Sequence, residues 1–232
     1  MKFNNLNYFV QSYLFNNRIN YNNLNHVVID RKNRLIFNRI PKNANTYVCN
    51  IIFNQLGHVS VKEGKSTKKH GPNFRNTLLL HDIKDFRRLL VVRDPATRVL
   101  SAFLDKFRKQ KYLQEYGKFS LDFNGFSIFL DWLASDGLPR NRHWDLQKNV
   151  IAFDFDFFTD VIPMEEMDRL HTYLSQLGYP IEHLNINKIY DNSNSHKTNS
   201  SERHDILRDV YINNKIREIY SEDYDLLRGF YE

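Results

Sequence analysis

Cysteine is nearly missing from this chain of 232 residues: Cys49 stands alone, so no intrachain disulfide can form and nothing points to an oxidising compartment. Glycine (8) and proline (6) are sparse, and no Gly/Pro/Ser-rich linker interrupts the chain. The expectation is therefore one domain over residues 1–232, with 1–25 as a peripheral N-terminal segment. Long apolar runs are lacking as well. Residues 1–25 mix Phe, Tyr and Leu with many Asn, and their apolar stretches are far shorter than a signal-peptide core or a spanning helix needs, which implies a cytoplasmic protein without a transmembrane segment. No internal repeat is found. The His and Asp/Glu spacings form no ligand cluster, so no metal site is expected.

What the chain does have is apolar and aromatic bulk, with 41% hydrophobic residues, 18 Phe and 13 Tyr, enough for a sizeable core. Its 33 basic residues outnumber 27 acidic ones, a net charge of +6 that favours anionic partners without saying which. Nucleic acid is disfavoured. The basic residues fall in short mixed stretches such as 62–70, with no zinc motif and no RNA-binding aromatic signature; that stretch reads as a loop over an acceptor site or as a merely solvated one.

The sequence Leu35-Ile36-Phe37-Asn38-Arg39-Ile40-Pro41-Lys42-Asn43-Ala44-Asn45-Thr46-Tyr47 holds an apolar run that stops at Pro-Lys, with a helical pattern starting three residues later. A strand feeding a helix through a short loop aims unpaired backbone N–H groups, and the positive end of the helix dipole, at whatever lies above the loop. Lys42 adds a charge and Thr46 a hydroxyl. About fifty residues on, Leu89-Leu90-Val91-Val92 is a continuous apolar run, as a strand buried on both faces requires. Asp94-Pro95 then opens a helix, with Pro in its tolerated first turn. Arg93 is thereby placed at the carboxyl end of a central strand, where open α/β sheets bind ligands. Ser101, two helical turns further, could meet the same anion.

These two segments resemble those of sulfotransferases that use 3′-phosphoadenosine 5′-phosphosulfate (PAPS), especially the carbohydrate sulfotransferases of the chondroitin/HNK-1 and heparan/uronyl 2-O types. In that family a Pro-Lys loop holds the 5′-phosphosulfate, and an Arg-Asp-Pro-x-x-Arg-x-x-Ser-Ala-[Phe/Tyr] run holds the 3′-phosphate. The run here is Arg93-Asp94-Pro95-Ala96-Thr97-Arg98-Val99-Leu100-Ser101-Ala102-Phe103. The resemblance implies PAPS as sulfuryl donor, no metal, and a hydroxyl acceptor, favoured as a glycan. It assigns Pro41, Lys42, Asn43, Ala44, Asn45, Thr46 and Tyr47 to the phosphosulfate and Arg93 and Ser101 to the 3′-phosphate. Weaker echoes lie at residues 143–147, 157–162 and 194–200. In the last, Lys197 and Thr198 are assigned to the nucleotide. Ala44 and Asn45 depart from the small or hydroxyl residues common in the family, and the anchor and disulfides of its Golgi members have no counterpart.

Sulfuryl transfer needs a base for the acceptor hydroxyl and a cation at the leaving oxygen. Lys42 is the cation. His81, between the two anion loops and at the place of the base in the uronyl 2-O type, is the first choice for the base, ahead of His70 and His143. Two other readings stay open: a P-loop kinase, since Gly64-Lys65-Ser66 ends like a Walker motif although position 59 is Val rather than the required Gly, and a non-catalytic anion- or glycan-binding module.

The punctuation predicts a hairpin over 27–30 and 35–39, helices over 45–56, 95–111, 126–134, 163–177, 201–213 and 215–230, and strands over 89–92 and 156–162. Strands alternating with helices give an α/β, P-loop-like three-layer fold with a largely parallel central sheet.

Overall fold

Val27–Asp30 (β1) and Leu35–Asn38 (β2), apolar except for their last residues, are buried along their length and joined by a four-residue turn, the hairpin expected of them. The computed structural model describes residues 20–55, 85–181 and 205–231. After the hairpin come α1 (Asn45–Gln55), β3 (Arg87–Val92), α2 (Pro95–Lys106), α3 (Gln110–Tyr116), α4 (Phe123–Trp132), α5 (Gln147–Val150), β4 (Asp160–Pro163), α6 (Met167–Gln176), α7 (Val210–Ile219) and α8 (Ser221–Leu226). The described residues form two compact units: 20–40, 48–55, 85–91 and 151–181 in one, and 41–47, 92–150 and 205–231 in the other.

The first unit carries the sheet, in the order β1-β2-β3-β4. Asp30 closes the hairpin turn by accepting the Lys32 N–H at 2.9 Å, and Arg34 turns the chain with φ 50°. β2 then pairs with β3 in parallel, Leu35 opposite Arg87 and Asn38 opposite Leu90. Leu89 to Val92 are essentially inaccessible, as a strand covered on both faces must be. The α/β class with its mostly parallel sheet is thus the one expected.

The core of the second unit is aromatic. Phe103, Phe107, Phe126, Phe129 and Trp144 are buried, with ring centroids 5.1 Å apart for Phe103–Phe126, 5.2 Å for Phe107–Phe129 and 5.6 Å for Phe129–Trp144. Tilted and edge-to-face pairs at such spacings add about 0.5–1.5 kcal/mol each beyond their buried area. The Trp144 indole donates to the Gly137 carbonyl at 3.0 Å, so burial leaves its polar atom satisfied. At the start of α2, Asp94 accepts the Thr97 N–H at 2.7 Å with Pro95 in the first turn, as its sequence indicates.

Several boundaries differ from expectation, each for a local reason. The helix expected over 95–111 breaks after Lys106, where the Lys109 N–H turns back to the Lys106 carbonyl at 3.0 Å. The break keeps Phe107 in the core and brings Tyr116 of α3 edge-on to Trp144 at 5.1 Å. α4 begins at Phe123 because Asp122 caps it through the Gly125 N–H at 2.8 Å, and it widens into a π turn that ends at Gly137. The strand expected over 156–162 is only Asp160–Pro163. Phe155–Phe157 coil instead into a 3-10 turn that stacks Phe157 on Phe153 at 4.1 Å, aromatic contact outweighing strand pairing. α6 starts four residues late, since Pro163 ends β4, and stops at its C-cap Leu177, followed by Gly178 in the left-handed region at φ 84°. The last helices break at Tyr220 rather than near residue 214, because the buried Tyr220 hydroxyl is held by the Trp144 carbonyl at 2.5 Å.

Candidate active site

Pro41 to Ala44 turn the chain into α1 under strain. Lys42 (φ 75°) and Ala44 (φ 50°) both lie in the left-handed region, which costs a non-glycine residue about 1 kcal/mol or more. Three side chains of the same unit hold the loop there. Arg98 Nε donates to the Pro41 carbonyl at 3.2 Å, an Arg93 guanidinium nitrogen donates to the Lys42 carbonyl at 3.0 Å, and the Asn43 amide donates to Gln147 Oε1 at 2.6 Å. Every residue from Pro41 to Asn43 therefore has its own anchor. Asn45, Thr46 and Tyr47 start α1; Thr46 is exposed and Tyr47 buried.

The second expected element is tied to the first. The Gln147 amide pairs with both backbone groups of Arg93, accepting its N–H at 3.1 Å and donating to its carbonyl at 2.8 Å, while the same Oε1 receives Asn43. Gln147 is itself fixed, because Asp223 accepts the N–H groups of Gln147 (2.8 Å) and Lys148 (3.1 Å) at the start of α5. Arg93 Nε donates to Thr97 Oγ1 at 3.1 Å. Ser101 is one turn beyond Thr97 on the same face of α2 and is buried. Beneath these, Arg98 is wholly buried and donates to the carbonyls of Asp145 (2.6 Å) and Arg142 (3.0 Å) as well as Pro41. Burial works against its charge, and Asp223 and Asp145 work for it.

Lys42 Nζ lies 2.6 Å from Asp105 Oδ2. Burial lowers the Lys42 pKa to about 8, with Asp105 resisting the shift. Burial would raise the Asp105 carboxyl, but Lys42, Lys109 and Lys106 outweigh it and hold the group well below the usual carboxylate range. Both are charged at neutral pH. His143 belongs to the same surroundings: burial first, then Lys106 and Lys42, push its pKa down to about 2. Its ring is oriented. Asn141 Oδ1 accepts the His143 backbone N–H at 3.1 Å, which fixes the amide, so the 2.6 Å contact of that oxygen with Nδ1 makes Nδ1 the protonated nitrogen and leaves Nε2 its lone pair.

Of the residues singled out in the sequence, Pro41, Lys42, Asn43 and Arg93 are bonded into one arrangement, with Ser101 on the adjoining helix face. His81, His70, Lys197 and Thr198 lie outside the described residues. Sequence reasoning missed Asp105, Lys106 and Lys109, and gave no role to Arg98, Gln147 or Asp223. A signal existed for some of them. Thr97, Ser101 and Asp105 recur every four residues through a helix that is apolar apart from these, Arg98 and Lys106, the mark of a buried polar stripe.

In comparison with known protein families, residues 25–231 fit the sulfotransferase family. No curated protein and no solved structure matches the chain.

Proposed function

Since the chain belongs to the sulfotransferase family and therefore transfers sulfuryl groups to hydroxyl-bearing acceptors, we propose that its donor is PAPS, its acceptor a carbohydrate hydroxyl, and its machinery the Lys42–Arg93 arrangement. The observation that carries this reading is the bond from the Arg93 guanidinium to the Lys42 carbonyl, which joins the two expected anion loops within one unit. That the family match runs through both units supports reading them as one sulfotransferase domain.

In this reading residues 41–47 hold the phosphosulfate end of the donor, Arg93 and Ser101 the 3′-phosphate, and Lys197 and Thr198 add contacts to the nucleotide. The cationic loop suits such a ligand: backbone at a helix start and a lysine charged at neutral pH face an anion. The donor supplies the sulfuryl group. The acceptor oxygen forms a bond to sulfur as the bond from sulfur to the donor phosphate breaks, and adenosine 3′,5′-bisphosphate leaves. Lys42 neutralises the leaving oxygen, and a base removes the acceptor proton. His81 is proposed as that base by its place between the loops. His143 is the second reading, favoured by its neutral ring and defined Nε2 lone pair. A cytoplasmic setting accords with a single cysteine, Cys49, that is buried; among the described residues no helix is long and apolar enough to cross a membrane.

Thermal unfolding tests the donor site. At a hundredfold excess over its dissociation constant, adenosine 3′,5′-bisphosphate without Mg²⁺ is expected to stabilise the protein by about 2.7 kcal/mol, a rise in Tm of roughly 5–10 °C. ATP with Mg²⁺, lacking a 3′-phosphate, gives a much smaller shift at equal concentration. Arg93→Ala costs about 1.5–3 kcal/mol of bisphosphate affinity, the worth of a charge-assisted contact. An equal or larger response to ATP would support the kinase reading, and no response to either would support a binding module.

Separate alanine variants decide the base. His81→Ala abolishes transfer while leaving bisphosphate binding intact if His81 takes the proton. If activity survives there and is lost in His143→Ala with binding preserved, the role passes to His143.

A further inference from the structure

Asp105 faces more positive charge than it can neutralise. Its Oδ2 lies 2.6 Å from Lys42 Nζ and 3.1 Å from Lys106 Nζ, and its Oδ1 lies 2.6 Å from Lys109 Nζ. Three ammonium groups against one carboxylate leave a net charge of +2. Lys109 is 41% exposed and meets water, but the side chains of Lys42, Lys106 and Asp105 are only 12%, 9% and 6% exposed, so two ammonium groups share one carboxylate away from solvent. Among the described residues no second carboxylate is within bonding distance of these ammonium groups. Uncompensated charge away from water is costly. Burial and mutual repulsion lower the Lys106 pKa as they do that of Lys42, despite the carboxylate each touches. Lys42 and Lys106 converge on Oδ2, filling both acceptor positions of that one oxygen. A carboxylate offers two oxygens to three donors, whereas a sulfonate offers three.

Resting on the sulfotransferase reading, we propose that Lys42 and Lys106 together seat the sulfonate that is transferred, and that Asp105 is the resident counter-ion occupying its place until the donor binds. Lys42 and Lys106 exchange Asp105 Oδ2 for sulfonate oxygens, while Lys109, the most exposed of the three, keeps Oδ1. Lys106 is then a catalytic residue, the second cation on the group in flight. It is held for that role by its position at the end of α2 and by the Tyr112 ring 5.2 Å from its nitrogen. The exchange explains how a strongly paired lysine can serve in transfer, because the pair is one of two states of the same cation rather than a fixed brace.

The probes are inorganic sulfate, which presents the sulfonate oxygens without a nucleotide, and adenosine 3′,5′-bisphosphate, which presents the nucleotide without a sulfonate. Each is titrated into the whole chain at constant ionic strength against chloride, with affinity read from the Tm shift and with turnover measured on labelled PAPS. Lys106→Met is expected to weaken sulfate binding about tenfold and to lower kcat at least as much, while bisphosphate affinity stays within about twofold of the parent. Asp105→Asn is expected to tighten sulfate about tenfold, because the competing anion is gone. Sulfate affinity unchanged in Lys106→Met overturns the inference, and that variant decides alone should Asp105→Asn fail to fold. Loss of bisphosphate binding in the parent would instead defeat the sulfotransferase donor site, leaving the sulfate arms to judge the cradle separately.

Discussion

Lys42→Ala is expected to retain its fold and its affinity for adenosine 3′,5′-bisphosphate within a few-fold while losing about 10²–10³ in kcat, the usual worth of one preorganised charge at a developing oxyanion. The fold survives because Asp105 keeps Lys106 and Lys109. Binding falls only a few-fold because Arg93, Ser101 and the loop backbone still hold the nucleotide, whereas the charge developing on the leaving oxygen during transfer depends on Lys42. The parent should also show an alkaline limb. Lys42 is protonated below a pKa of about 8 and loses its charge as pH rises through that value, so kcat/KM falls there. A bound anionic donor favours the ammonium form and raises that pKa, moving the limb of kcat to higher pH. Lys42→Arg, which cannot deprotonate in this range, should lose the limb at the expense of rate. Near-parental turnover in Lys42→Ala, measured with labelled PAPS, would defeat the assignment.

The other large effect is on stability. Arg98→Ala removes a wholly buried guanidinium from three carbonyls and from the field of Asp223 and Asp145. Breaking a buried charge network of this kind costs about 3–5 kcal/mol. Denaturant unfolding should show that loss as a fall in midpoint at unchanged slope. Arg98→Lys should recover little, because a single ammonium cannot span three carbonyls from Pro41, Arg142 and Asp145. A loss below about 1 kcal/mol would mean that the network is dispensable.

Three of the four strands were legible because 27–29, 35–37 and 89–92 are runs of Val, Ile, Leu and Phe, and β-structure is what such runs form when covered on both faces. The two anion loops were legible for a related reason, since Pro-Lys and Arg-Asp-Pro mark where a strand stops and a helix begins. Helix ends in the second unit were harder to read. Residues 95–111 and 201–230 keep helical periodicity through their breaks, and what interrupts them is the docking of Phe107 and Tyr220 on a distant Trp144, a tertiary event without a local signature. The same holds for the parts of the site that were missed. Gln147 is 54 residues from Arg93, Asp223 is 76 from Gln147, and Asp105 is 63 from Lys42, so these partners meet only after folding. Lys106 and Lys109 lay in plain view, but a lysine in a helix is ordinarily a solvated one.

The backbone of Pro41 and Lys42 is gripped through its carbonyl oxygens, by Arg98 at Pro41 and by Arg93 at Lys42, while the side chains of Lys42 and Asn43 are held by Asp105 and Gln147. A carbonyl is the same in every residue. A change of side chain at Ala44 or Thr46 therefore leaves those anchors in place, while a change at Arg93, Arg98 or Gln147 does not. The loop's shape is thus set by its anchors more than by its own letters. It also suggests where new donor or acceptor preferences could be selected without first rebuilding the frame.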